Sequence, residues 1–162
     1  MDDLLTRSSI WLALTLFVAA QVARSGSAAN AIVGSRLFWS GWAAFVGHVA
    51  LAFQSHYHWS HAIALAQTAA QTAALTGVQT GSGLYLNYLF GVLWMVDAWW
   101  WHHNAASFLA RPAPLELTVR IFWLFMMVNG AVVFVEGPQR WFGLTLVGVL
   151  LYAWRPATLT RR

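Results

Sequence analysis

The sequence predicts an all-α fold: a polytopic integral membrane helical bundle that occupies residues 1–162 as a single transmembrane domain. Apolar residue types make up 59% of the chain and charged residues only 9%, whereas a soluble domain carries about a quarter charged residues. Between Leu37 and Ala110 the only formally charged residue is Asp97. So long a segment with so little charge indicates that lipid, and not water alone, surrounds the chain.

Five apolar runs predict the membrane-spanning helices of this bundle. Arginines, or Pro and Gly, lie at the ends of these runs, where connections between spans are expected. The first run is short for a hydrocarbon core of about 30 Å, and the second follows a small polar loop bounded by Arg24 and Arg36. The runs cover roughly residues 9–23, 37–54, 84–101, 121–135 and 141–154.

Residues 59–83 are the uncertain part of this topology. The segment is uncharged and Ala-rich, and on a helix its Thr and Gln side chains fall along a stripe that begins at His58 and His61. Such an amphipathic helix either lies in the membrane interface or crosses the membrane with its polar stripe buried. Arginines concentrate on the cytoplasmic side of membrane proteins, and five spans divide them more cleanly than six. Five spans plus one amphipathic helix are therefore favoured, and six remain possible.

Charge and cysteine content narrow the classes of partner and site. The formal net charge is +4, and every basic residue is Arg. These arginines lie at the ends of apolar runs instead of forming a patch, which argues against nucleic-acid binding. The chain contains no Cys, which excludes disulfides and thiolate metal ligands within it. We expect a protein of a bacterial inner membrane, in contact with the lipid bilayer and with other membrane subunits or further copies of itself.

Two groups of histidines are candidate metal ligands. His56, His58 and His61 lie within six residues, and His102 and His103 are adjacent. Neutral imidazole is the commonest metal ligand in proteins, so both groups are predicted to bind metal. With five spans the groups lie on opposite sides of the membrane, and with six they reach one surface, where five imidazoles can converge. The alternative is that they are polar ends of spans, hydrogen-bonded to water.

His48 and Asp97 are predicted inside spans, where polar side chains are costly and tend to be functional or internally paired. Gly41 and Gly47 lie close to His48 in sequence, so a neighbouring helix or a flat cofactor such as haem can approach it. No second histidine is expected at the same depth, which leaves a five-coordinate haem or a ligand from another subunit. Ionised Asp97 needs a cation or strong hydrogen-bond donors. Both residues are predicted to bind a cofactor. The alternatives are a hydrogen-bonded core histidine at His48, and a proton relay or a helix–helix contact at Asp97.

The sequence favours a small membrane protein, or a subunit of a membrane complex, that binds a redox cofactor through histidine. The cofactor would be haem or an iron, copper or zinc ion, with electron transfer as the expected role. One alternative is a cofactor-free accessory subunit that packs in a larger complex. A second is a non-haem metal oxidase or hydroxylase, which requires both histidine groups at one membrane face and hence six spans. Whether the protein is an enzyme stays open at this point.

Overall fold

The computed structural model describes residues 2–24 and 28–155. These residues form helices joined by short connections and contain no strand, which confirms the predicted all-α class for this part of the chain. The helices, in chain order, are α1 (Asp2–Arg24), α2 (Ala28–Ser55), α3 (His61–Thr76), α4 (Ser82–His103), α5 (Ala105–Leu109), α6 (Ala113–Val128) and α7 (Gln139–Ala153). A π-helical turn (Asn129–Val133) continues α6 directly.

Three helices begin well before the predicted spans. Helix α1 begins at Asp2 instead of near residue 9. The expected polar loop between Arg24 and Arg36 is largely helix, so that Arg36 lies two turns inside α2. Three alanines in this segment, Ala28, Ala29 and Ala31, favour this continuation over a loop. Likewise α6 begins at Ala113, before the predicted start of its span. The prolines that marked a connection, Pro112 and Pro114, are tolerated there because the first turn of a helix needs no backbone N–H donors.

Helix α2 is antiparallel to α1 and to α4, and it approaches both closely at glycines. On α2, Gly41 lies against the backbone of Ala13, and Gly34 lies against the backbone of Ala20. Further along α2, the ring of Phe45 covers Gly91 of α4. Small residues at helix contacts permit this kind of approach, which is common where van der Waals packing holds helices together.

Aromatic rings fill the centre of the bundle. Phe17 of α1 lies 5.0 Å, centroid to centroid, from Trp94 of α4 and 5.3 Å from Trp123 of α6, in both cases edge to face. The indole nitrogen of Trp94 donates a 3.1 Å hydrogen bond to the Phe38 carbonyl of α2, and so satisfies the one polar atom of a fully buried ring. Further rings extend this cluster towards both ends: Phe45, Phe90, Trp101 and Phe108.

Helix α3 lies outside this arrangement. Its first turns pack on the start of α4, where His61 stacks on Tyr88 and Leu65 lies against Gly81. The helix ends at Gly77, whose φ of 75° is the left-handed conformation usual for a helix C-cap. Residues 77–81 then return to Leu65, so the chain leaves α3 at the same end of the bundle at which it entered.

Two described segments are long and apolar enough to cross a membrane, by length and composition alone: Leu4–Arg24 and Ala113–Val133. The second includes the π-helical turn. Helix α7, with 15 residues, is about 22 Å long, and α2 and α4 are rich in Trp and contain His, which lowers their hydropathy. This finding covers two of the five predicted spans.

The π-helical turn brings α7 into direct backbone contact with the end of α6. A Cβ atom added at Gly143 of α7 would lie 1.9 Å from the Ala131 carbonyl oxygen of the turn. No such contact exists at Gly148, one and a half turns later on the same helix, where an added Cβ meets nothing within 4 Å. Gly143 is therefore required by packing, and Gly148 is not.

We expect Gly143→Ala to destabilise the protein by about 3 kcal/mol or more, because the methyl group has to displace backbone atoms. Gly148→Ala is the matched control: it adds the same methyl group to the same helix and should be neutral or stabilising by up to about 1 kcal/mol. Thermal unfolding in detergent, followed by circular dichroism, measures both. Equal midpoints for the two variants would contradict the close packing of α7 on the turn.

Candidate functional site

Asp97 lies at the centre of a buried ion-pair network at the end of the bundle where α4 finishes. Its two carboxylate oxygens accept hydrogen bonds of 3.1 and 3.0 Å from Nη1 of Arg111. The side chains are 10% and 2% exposed, respectively. The short helix α5 turns the chain so that Arg111, fourteen residues after Asp97, returns to it. The cation that the sequence demanded for Asp97 is therefore an arginine of the same chain.

Glu116, in the first turns of α6, joins three arginines in this network. The two terminal nitrogens of Arg24, on α1, each lie close to one carboxylate oxygen of Glu116. Nη1 lies 2.9 Å from Oε1, and Nη2 lies 3.0 Å from Oε2. Arg111 donates to the same carboxylate through Nε, and so does Arg120, one turn further along α6. Glu116 is 16% exposed, so these ion pairs are largely shielded from water.

Aromatic rings enclose the network. The guanidinium groups of Arg24 and Arg111 lie 4.8 and 4.7 Å from the centroid of the Phe108 ring of α5. Arg120 donates to the Trp154 carbonyl at the end of α7. The indole nitrogen of Trp154 in turn donates to Gln21 of α1 at 3.1 Å. The network therefore connects α1, α4, α5, α6 and the end of α7.

The residues of this network are suited to holding helices together and not to transferring protons. Two carboxylates face three guanidinium groups, and an arginine remains protonated at any physiological pH, so it cannot act as a proton carrier. Asp97, predicted as a cofactor contact or a proton relay, is occupied by a charge-assisted hydrogen-bonded pair. What the arrangement does is hold five elements together at one end of the bundle.

His48 faces α1 and not α4. Its Nδ1 lies 2.9 Å from the carbonyl oxygen of Thr6 and 3.4 Å from the hydroxyl of Ser9. A carbonyl oxygen only accepts hydrogen bonds, so Nδ1 carries the proton and Nε2 of the neutral ring is an acceptor. This is the tautomer that metal-ligating histidines commonly adopt. It is equally the arrangement of a buried histidine that is paired within the protein.

The glycines near His48 differ in their surroundings. A Cβ at Gly41 would lie 2.8 Å from the ring of Trp94, so this glycine is used by helix packing. A Cβ at Gly47 would meet nothing within 4 Å, so space is open beside His48 on the outer side of α2. The interior between α1, α2, α4 and α6 is filled by the aromatic cluster. A flat cofactor on His48 would therefore have to bind at the surface of the bundle.

His56, His58 and His61 lie at the junction of α2 and α3. His61 stacks on Tyr88, with its Nδ1 3.1 Å from the phenol oxygen. His58 lies in the turn, where it and Trp59 have φ values of 48° and 57°. Two consecutive non-glycine residues in the left-handed region are strained, and the bond from the Trp59 indole to the Gln54 side chain, 2.7 Å, helps to hold the turn.

His102 and His103 lie at the other end of α4. Nδ1 of His103 donates to the Trp99 carbonyl at 2.8 Å, and the His103 ring packs on that of Trp99. His102 points to α2, where it lines a shallow depression with Arg36, Trp39 and Ser40. Tyr88, which contacts His61, precedes His102 on α4 by about fourteen residues. This separation corresponds to about 21 Å along the helix. The five end histidines therefore do not converge.

Among the described residues, no group of three or more His, Asp or Glu side chains is arranged to hold a metal ion. The structure thus does not bring together the residues predicted as metal ligands. Two further polar residues, Asn129 and Glu136, lie at and beyond the C-terminal end of α6. The side-chain amide of Asn129 donates to the Phe125 carbonyl one turn earlier, and so stays within its own helical segment. Glu136 is exposed, and Arg140 donates to the Val135 carbonyl.

Sequence reasoning identified Asp97 but missed its partners. In the sequence, Arg111 and Arg120 lie at the ends of predicted spans, and Glu116 lies in the predicted connection between them. Two signals were available. Arg111 is the next charged residue after Asp97 in the chain, and Glu116 precedes Arg120 by four residues, a spacing that brings opposite charges together on a helix.

Comparisons with protein-family models, with curated proteins and with solved structures find no match.

We expect Glu116→Gln to destabilise the protein by about 3–5 kcal/mol, because it leaves three arginines that are at least partly buried with one carboxylate among them. Glu136→Gln removes the same charge from an exposed position and should change stability by less than about 0.5 kcal/mol. Both are measured as thermal or denaturant unfolding in detergent. A Glu116 variant as stable as the Glu136 variant would show that the network contributes little.

The pair between Asp97 and Arg111 can be measured separately by a double-mutant cycle with Asp97→Asn and Arg111→Gln. We expect a coupling energy of about 2 kcal/mol, since the two side chains are buried and in direct contact. A second cycle that combines Asp97→Asn with Arg155→Gln, an exposed arginine outside the ion-pair network, should give a value near zero. Similar coupling in both cycles would contradict a specific pair.

Proposed function

We propose that the protein is an integral membrane protein with five spanning helices, α1, α2, α4, α6 with its π-helical turn, and α7. In this proposal α3 lies at the membrane surface and does not cross. The protein serves as a structural subunit: a rigid helical bundle that packs within a larger assembly in a bacterial inner membrane.

The observation that carries the membrane assignment is the distribution of charge across the bundle. The outward face of α4 presents large apolar and aromatic side chains from Tyr85 to Trp99 and no charged group, while Asp97 of the same helix points inwards. Exposed apolar side chains likewise cover α6 and α7, for example Ile121 and Leu151. A bundle with ion pairs inside and hydrocarbon outside is suited to lipid as its solvent.

The arginines support one orientation. Of the described arginines, two lie at the end of the bundle where α1 begins, Arg7 and Arg140. The others lie at the opposite end: Arg24, Arg36, Arg111, Arg120 and Arg155. The positive-inside rule places this arginine-rich end in the cytoplasm. The return of the chain from α3 to its own starting end supports five spans over six.

The structural role is favoured by how the polar side chains are used. Asp97 and Glu116 bind arginines, His61 contacts a tyrosine, and His48 and His103 donate to backbone carbonyls. These contacts hold helices in place, and the aromatic cluster fills the space between them. Such a bundle provides a fixed surface for neighbouring subunits or further copies of the chain.

The topology predicts that residues 55 and 107 lie on opposite sides of the membrane. The chain has no cysteine, so Ser55→Cys and Ser107→Cys each introduce a single thiol. In intact cells or spheroplasts, a membrane-impermeant maleimide should label the variant at 55 and not that at 107; inverted membrane vesicles should give the reverse. Labelling of both from one side would contradict five spans and favour six.

The subunit role is tested by extraction of native membranes in a mild detergent, followed by size-exclusion chromatography with light scattering. We expect a particle whose protein mass clearly exceeds the 18.0 kDa of one chain. A protein mass equal to one chain under several mild detergents would contradict the subunit role and leave the membrane assignment intact. Recovery of the protein in the soluble fraction would contradict both.

One observation favours a second candidate, a cofactor-binding membrane subunit. Nε2 of His48 is left as an acceptor beside the open space at Gly47, so a haem or an iron, copper or zinc ion could bind there with the remaining ligands from a neighbouring subunit. The purified assembly would then show a reducible Soret band or stoichiometric metal. Both signals should be lost in His48→Ala and retained in His103→Ala. An assembly without either signal would exclude this candidate.

A further inference from the structure

At the arginine-rich end of the bundle, α2 and α4 form a depression that the ion-pair network does not use. It is open, has a volume of about 470 Å³, and is lined by Arg36, Trp39 and Ser40 of α2 and His102 of α4. Within the described part of the chain, Arg36 has no carboxylate partner, unlike the three arginines that bind Glu116. A cation, a hydroxyl and an imidazole therefore face one small volume.

The spacing of these residues explains why they meet. Arg36 and Ser40 are four residues apart on α2, so their side chains are neighbours on one face of the helix. His102 comes from the last turn of α4, which is antiparallel to α2. Trp39 lies beside them and packs edge to face on Trp42, 5.3 Å away. Indole rings of this kind are typical of the headgroup level of a membrane.

Below the depression, towards the middle of the bundle, the surface becomes apolar. The face of α2 that carries Arg36 and Ser40 continues through Ala43, Val46 and Ala50, all of them exposed. On the α4 side, the exposed side chains of Met95 and Trp99 precede His102 at helical spacing. A site of positive charge and hydrogen-bond donors thus lies above an uncharged strip of helix surface.

We propose that this depression binds the phosphate of an anionic phospholipid headgroup, with the acyl chains along the apolar strip of α2 and α4. Arg36 provides the charge-assisted hydrogen bonds to the phosphate, and Ser40 and His102 provide further donors. Basic pockets between helices on the cytoplasmic side of a membrane suit anionic headgroups. The inference rests on the proposed membrane location and goes beyond it, because it names a lipid class and its contacts.

The test is a titration of the detergent-solubilised protein with short-chain phosphatidylglycerol, read as lipid adducts by native mass spectrometry. Arg36→Gln should weaken binding of the first lipid about tenfold, the size expected for loss of a charge-assisted contact. Arg7→Gln is the matched control: it removes the same charge from an exposed position on α1, at the other end of the bundle, and should change the affinity by less than about twofold.

Two further arms identify the source of the phosphate. Short-chain phosphatidylcholine, which has no net charge, should bind more weakly than phosphatidylglycerol, and millimolar inorganic phosphate should not displace the lipid. Equal binding by the Arg36 and Arg7 variants, a preference for phosphatidylcholine, or displacement by free phosphate would each overturn the proposal. Membrane fractionation of the same variants keeps this result separate from the membrane assignment: a protein that is membrane-embedded but has no phosphatidylglycerol preference would contradict only the lipid site.

Discussion

The pairing of Asp97 with Arg111 is the constraint around which one end of this molecule is arranged. A buried carboxylate without a cation would carry a large desolvation cost, and a buried guanidinium without an anion would carry the same. Asp97 contacts only Nη1 of Arg111, and Glu116 accepts from the Nε donor that Asp97 leaves unpaired. Glu116 in turn requires Arg24 and Arg120. Each partner thus fixes another helix, and the arrangement is complete only when α1, α4, α6 and the turn through α5 are all in place.

Aromatic side chains and small residues make the other main contacts between the helices. Trp94 is fully buried, yet its single polar atom is satisfied by the Phe38 carbonyl. Glycines on α2 and α7 allow backbones to touch where any side chain would separate them. This combination gives close packing without a hydrophobic force between helices, as is needed where the surroundings are themselves apolar. The many tryptophans keep the mean hydropathy of the chain moderate, although large apolar side chains are exposed on its helices.

The all-α class and the approximate positions of most helices could be predicted, because long apolar runs and Pro or Gly in connections are local signals. Helix limits near Ala28 and Ala113 could not, since helix-forming residues and first-turn prolines extend helices through segments that look like loops. Asp97 was found because one carboxylate stands out in an apolar run. Its partners depend on the turn through α5, which no local pattern specifies. Conversely, His56, His58 and His61 form a cluster in the sequence, but the described residues contain no group of three or more His, Asp or Glu side chains arranged to hold a metal ion.

The network also has a consequence for the order in which the chain is made. Arg24 emerges early, while Glu116 follows 92 residues later and the indole that binds Gln21 follows 133 residues after that glutamine. At about 5–20 residues per second, Arg24 waits roughly 5–18 seconds for its carboxylate. Throughout that time the hairpin of α1 and α2 can form, but its charged end must remain solvated by water. The last turn of α1 can therefore be buried only after α6 has been synthesised. In a chain that ends before α6, Arg24 stays without its carboxylate partner and exposed to water.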